Sequence, residues 1–157
     1  MADENNMALA KQVYETLCAA IEKRDWSFEK EEEALIVHFE LNTEDFPMQL
    51  ILIVDAERQL VRMFSPLPFK ISEAKRAEGA IATCAVTFGL ADGSFDYDIV
   101  DGTIAFRLTA SFRDSVIGEG LLQYMISCTC AVVDKYNDKF FALEKGVLGI
   151  EDFIKRN

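Results

Sequence analysis

Few residues in this chain have the types and spacing that chemistry needs. His38, the one histidine, alternates with Glu40 on a strand pattern, a pairing that could titrate or begin a metal site. A metal needs more convergent ligands than one histidine supplies, so the pair reads as a half-exposed strand histidine beside a carboxylate. Asp92, Asp96, Asp98 and Asp101 suggest calcium. A calcium loop, however, gathers its acidic positions into a compact turn ending in glutamate. Here Asp96 and Asp98 lie along a predicted strand and Asp101 in a turn. Nucleophilic catalysis requires a Ser or Cys, a base and an orienting acid, and His38 stands far in sequence from Cys84 and Cys128. No carboxylate pair is singled out for acid-base work, and Glu29 to Glu33 reads as a solvated turn. The residue types therefore assign no catalytic, metal-binding or cofactor-binding position.

The four cysteines, Cys18, Cys84, Cys128 and Cys130, lack CxxC spacing and fall in predicted helices, where they read as small core residues. Cys128 and Cys130, two apart on a helix, point in nearly opposite directions and cannot share one metal. A formal charge of -11 weighs against nucleic acid and anionic membranes, which are bound through clustered Lys and Arg. The one basic cluster, Lys70, Lys75 and Arg76, reads as a solvated helix start. At 157 residues, half of them apolar, the chain fits one domain spanning 1–157. MADENNMALAKQ lacks the positive charge of a signal peptide and no long apolar run follows, so a cytoplasmic protein starting near Met1 is expected.

The elements that must position these residues follow from periodicity. Ala10, Val13, Tyr14, Leu17, Cys18 and Ile21 make a helical stripe over Asn5–Arg24. Trp26 and Phe28 suggest a short first strand, turned by Lys30 to Glu33. Ala34–Leu41 alternates as a half-buried strand. Met48–Val54 is apolar on both faces, which predicts a central strand covered on each side. Leu60–Phe64 returns as the next strand, ended by Pro66 and Pro68, which should carry the chain off the sheet edge. Ser72 is expected to cap a helix burying Ala74, Ala77, Ile81, Cys84, Ala85 and Phe88, with Gly89 as a left-handed cap.

A two-residue Asp101-Gly102 turn would set Ile99 against Ile104, Tyr97 against Phe106, Phe95 against Leu108, and Asp96 against Arg107. Glu119–Lys145 predicts a long helix with a broad apolar face of Leu122, Met125, Ile126, Val132, Val133, Tyr136, Phe140 and Leu143. Leu121, Cys128, Cys130 and Ala131 would widen its first half, and Gly146 would end it. A last turn could dock Ile150, Phe153 and Ile154.

This order predicts an α+β fold, an antiparallel sheet of five to six strands with helices on one face, α-β-β-β-α-β-β-α. Ile36, Ile51 and Ile53, joined by Met63, then alternate away from the helices. They form a candidate partner or dimer surface, unless the N-terminal helix or the tail folds over them.

Three segments, LPFKISEAKRAEGAI, FGLADGSFDYDIVDGTIAFRL and LLQYMISCTCAVVDKYNDKFFAL, resemble the YbjN family, whose members are described as bacterial sensory transduction regulators. The resemblance covers about the last two-thirds of the chain, and the N-terminal helix agrees in pattern alone. It implies a fold similar to that of type III secretion chaperones, no catalytic residues, and a regulatory or protein-binding role. Taken with the doubly apolar central strand, it gives the expectation of a chaperone-like module that binds protein as a homodimer and without a cofactor. A small-molecule sensor or an enzyme of another class is the competing reading.

Overall fold

The computed structural model describes residues 4–155, so the chain start at Met1 lies outside the described residues. Helix α1 (Glu4–Glu22) leads into strands β1 (Glu29–Glu31), β2 (Ile36–Leu41), β3 (Met48–Asp55) and β4 (Leu60–Lys70). One 3-10 turn enters α2 (Arg76–Gly89), followed by β5 (Ser94–Tyr97), β6 (Thr103–Ser111), α3 (Glu119–Glu144) and α4 (Ile150–Lys155). The strands form one antiparallel sheet in the order β1-β2-β3-β4-β6-β5. This is the predicted α+β architecture.

Strand alternation sends Val37, Phe39, Leu50, Leu52, Val54, Val61, Met63, Phe95, Ile104, Phe106 and Leu108 to the helix side, all buried. The helices answer with Val13, Leu17, Ile21, Leu122, Met125, Ile126, Tyr136 and Phe140. Phe95 is the hub, its ring 5.3 Å from Phe106, 5.2 Å from Phe140 and 6.0 Å from Tyr136. Phe153 of α4 continues the stack at 5.3 Å from Phe140, as the tail pattern predicts, although Ile154 points outward.

Several local expectations are corrected. β1 begins at Glu29 and not at Trp26, because Trp26 turns in to pack on Phe39 at 5.5 Å. β4 runs through both prolines and stays central, with a register irregularity between Pro66 and Lys70. The bond from Phe112 N–H to the Gln59 carbonyl, 3.0 Å, aims odd-numbered residues of β4 at β6. Pro66 therefore lacks its N–H on the β3 side, where the ladder ends at Ile51 and Phe64. The β6 ladder continues past it.

The hairpin is closed by a longer loop. Gly102 N–H donates to the Asp98 carbonyl at 2.7 Å, and Asp98 N–H donates to the Thr103 carbonyl at 2.9 Å. The observed pairs are Tyr97 with Ile104 and Phe95 with Phe106, two residues from the predicted register. An even shift leaves every side chain on its predicted face.

Helix α2 is rotated from its predicted stripe. Gly79, Ala82, Thr83 and Val86 are buried, while Ala77, Ile81, Cys84 and Phe88 face out. Polar bonds to β5 set this rotation. Thr87 Oγ1 accepts from Phe95 N–H at 3.0 Å, Tyr97 O–H donates to the Arg76 carbonyl at 3.0 Å, and Gly79 gives the Tyr97 ring room that a Cβ would fill. Ser72 makes no side-chain cap; its N–H is taken by Glu144 Oε2 at 2.8 Å. Gly89 is the last helical residue, and Leu90 beyond it is extended. In α3, Leu121 and Ala131 are exposed, so this helix buries one side only; Gly146 ends it with a positive φ.

Candidate functional site

All four helices pack on one side, so the other side of the sheet is covered by no helix among the described residues. Its side chains line up across the strands in register. One row runs Glu29, His38, Ile51, Phe64, Arg107 and Ser94; the next runs Glu31, Ile36, Ile53, Arg62 and Thr109. Each row is acidic at the β1 end, apolar in the middle and basic on β4 or β6.

The two arginines are already engaged. Arg107 meets Asp96 at 2.6 and 3.1 Å, a bond that raises the guanidinium's own pKa. Arg62 lies 3.3 Å from Asp55 and 5.9 Å over the Phe64 ring. Partial burial pushes the Asp55 carboxyl up, but hydrogen bonds from the Arg58 backbone and guanidinium, with the Arg58 and Arg62 charges, hold it below the usual carboxylate range. At the β1 end, His38 Nε2 lies 3.5 Å from both Glu29 Oε2 and Glu31 Oε1. A recess of about 260 Å³ opens beside it, lined by Ser27, Phe28, Glu29, His38, Phe39, Glu40 and Gln49. The acidic side chains of this face are Glu29, Glu31, Glu40, Asp55 and Asp96, against Arg62, Arg107 and Lys70, the last beside Glu40 and Gln49 and paired with Thr103.

One comparison bears on the fold. A solved structure, "YbjN, a putative transcription regulator from E. coli", superposes with a TM-score of 0.54 at 12% identity, over 80% of this chain and 92% of that one. The fold is that of YbjN. No family model and no curated protein matches the chain.

On this YbjN-like fold, three of the four predicted surface residues come together: Ile36, Ile51 and Ile53 are neighbours on β2 and β3 of the open face. Met63 does not join them. It is 0% exposed on the helix side, where Thr129 O–H donates to its sulfur at 3.1 Å. Phe64 takes its place, directly across from Ile51. Arg62 carried the missed signal: a charged residue two before Phe64 marks that parity as the wet face, leaving Val61 and Met63 for the core.

Among the described residues, neither the N-terminal helix nor the tail covers the open face. Tyr14 of α1 donates to the Ile36 carbonyl at 3.4 Å from the helix side, and burial, with Cys18 beside it, pushes its hydroxyl up to about 12. The Asp residues of the hairpin serve the backbone. Asp98 Oδ1 accepts from Val100 N–H at 2.8 Å, and Asp101 accepts from Thr103 N–H at 2.9 Å and from Lys70. These bonds hold the Asp101 carboxyl well below its usual range, Lys70 contributing most. Among the cysteines, Cys18 is buried, Cys128 and Cys130 are half-buried, and Cys84 is exposed rather than part of the core.

Proposed function

We propose that this chain is a non-enzymatic regulatory or chaperone-like module that binds another protein on the open face of its sheet. The observation that carries the reading is the in-register apolar centre of Ile36, Ile51, Ile53 and Phe64, flanked by charge and covered by no helix among the described residues. The face has more carboxylates than arginines, and both arginines are internally paired. Its charge therefore favours a partner presenting apolar side chains next to Lys or Arg. The recess between Glu29, His38 and Glu40 would receive the cation. Four free thiols suit the cytoplasm, where thiols stay reduced. The description of the E. coli YbjN structure as "a putative transcription regulator" agrees with a regulatory role.

Selection from a displayed peptide library on the immobilised chain tests the reading. Enriched sequences should pair apolar with basic residues, and they should be lost on an Ile51→Asp/Ile53→Asp chain of unchanged melting temperature. Enrichment indifferent to that double substitution would remove the face from consideration.

A second reading has one observation in its favour. A groove of about 650 Å³ between α1 and the 32–35 turn, lined by Met7, Lys11, Tyr14, Glu15, Glu32, Glu33 and Leu35, has the size and mixed lining of a small-molecule sensor site.

A further inference from the structure

We infer that the open face carries a second cation site, selective for an arginine side chain of the protein partner, in the recess where the β3-β4 ladder ends. The inference rests on the partner-face reading and specifies one residue that the partner carries. Glu40 and Gln49, opposite one another in the β2-β3 ladder, stand between two hollows of the face. One is the recess beside His38, which has Glu29 for its own cation. The other, of about 390 Å³, lies on the far side and falls within the range of small-ligand sites, about 300–1,000 Å³.

Backbone direction supplies one acceptor. Val54 N–H donates to the Leu35 carbonyl at 3.0 Å, so even-numbered residues of β3 turn their backbone groups to β2 and odd-numbered ones to β4. The register that sets Ile53 against Arg62 and Ile51 against Phe64 would next set Gln49 against Pro66. Pro66 has no N–H, so the Gln49 carbonyl meets no ladder donor and the pairing stops there. Both residues line the recess, where that carbonyl is left to water or to a donor from a ligand.

Glu40 supplies the second acceptor, at an exposed position. The cations around it are committed elsewhere: His38 Nε2 lies between Glu29 and Glu31, and Lys70 is paired with Asp101. Glu40 and Lys70 are the charged side chains lining the recess. With Lys70 neutralised by Asp101, the recess favours a positive ligand.

Shape separates arginine from lysine. All three prolines of the chain, Pro47, Pro66 and Pro68, line the recess together with Phe69. Proline has no rotamers to lose, and the Phe69 ring is braced by Phe46 at 5.7 Å and Phe141 at 5.2 Å. The walls are therefore formed before a ligand arrives, which lowers the cost of binding. A planar guanidinium stacks on such flat walls and presents several N–H donors in one plane, enough for a carboxylate and a carbonyl together. An ammonium, a strongly hydrated point charge, gains less from them.

Amide chemical shifts of the full chain test the site, in titrations with N-acetyl-arginine methylamide and with N-acetyl-lysine methylamide. The arginine probe should shift the Gln49, Lys70 and Thr103 amides saturably and bind about five-fold or more tighter than the lysine probe. Glu40→Gln should weaken the arginine probe about tenfold without changing the melting temperature. Pro66→Ala returns a donor to the Gln49 carbonyl and should weaken the probe about threefold or more. Equal binding of the two probes overturns the inference, as does an arginine affinity indifferent to Glu40→Gln or to Pro66→Ala. Selected peptides that need Ile51 and Ile53 yet tolerate lysine in place of arginine overturn it too, and leave the partner-face reading standing. The predicted probe pattern, found together with peptide selection indifferent to Ile51→Asp/Ile53→Asp, would support the arginine recess and remove the apolar centre as the partner face.

Discussion

Asp96 and Arg107 form a two-point ion pair on the open face, although they are not opposite one another: Asp96 faces Ala105 and Arg107 faces Ser94. Arg107 reaches diagonally across the β5-β6 ladder. Both side chains keep more than a third of their surface in water, 45% and 41%, so solvent screens the attraction. A double-mutant cycle with Asp96→Ala and Arg107→Ala should give a coupling of about 1 kcal/mol or less, shrinking with salt. A coupling well above that, indifferent to salt, would mean the pair is desolvated.

The two neighbours Met63 and Phe64 separate the core face from the partner face. Met63→Ala should cost about 2–5 kcal/mol in urea unfolding, since it leaves a cavity under Thr129. Phe64→Ser, at a half-buried position of the open face, should cost clearly less while weakening partner binding. Equal costs would contradict the assignment of faces.

Gly102 and Gly120 make opposite predictions for the same change. At Gly102, φ is +80° and an added Cβ would lie 2.1 Å from the Ile71 carbonyl oxygen, backbone that cannot give way. Gly102→Ala should therefore destabilise by about 2–3 kcal/mol or more. Gly120, in the first turn of α3, has nothing within 4 Å, and its replacement by Ala should stabilise by about 0.5–1 kcal/mol. Thermal melts of the two variants give both signs.

Thiol alkylation followed by mass spectrometry should label Cys84 first. Burial pushes the Cys18 and Cys130 thiols up and keeps them protonated. Cys18 should react only as the fold opens. Rapid labelling of Cys18 in the native chain would contradict the packing of α1.

Asp55 makes the stability of the fold depend on acid. Its carboxyl is depressed in the folded chain, so its contribution is complete above the ordinary carboxylate value of about 3.9 and is lost as pH falls through the lower folded value. The wild-type advantage over Asp55→Asn should be present at neutral pH and disappear in strong acid. An advantage that persists in acid would mean the Arg58 and Arg62 contacts do not depend on the carboxylate.

The sheet was legible because alternation is a property of neighbouring residues: Leu35 to Leu41 declares its faces locally, whereas Met48 to Val54, apolar on both faces, looked covered on each side and is covered on one. What was not legible depended on distant partners. The α2 stripe looked buried because Ile81 and Phe88 are its largest apolar groups, whereas the orientation is set by Thr87 and Tyr97 bonding across to β5 and by Gly79 fitting the Tyr97 ring. Asp101-Gly102 resembles a tight turn, yet Asp98 closes a longer loop. Pro66 looked like a strand end because only the observed pairing shows that its missing donor falls on the side where the ladder already stops.

The β4-β6 pairing gives this fold a seam. Every other ladder joins strands that follow one another in sequence, but β4 and β6 meet across α2 and β5, with hydrogen bonds from Ile71 N–H to Gly102 and from Phe112 N–H to Gln59 beyond its two ends. Closing it is the step with the greatest loop entropy. A chain cut between Ser72 and Glu73 would become two pieces, each holding one bare strand whose natural cover is the other piece. Such halves are candidates for a split reporter, in which regained fluorescence or enzyme activity would count the seams that close.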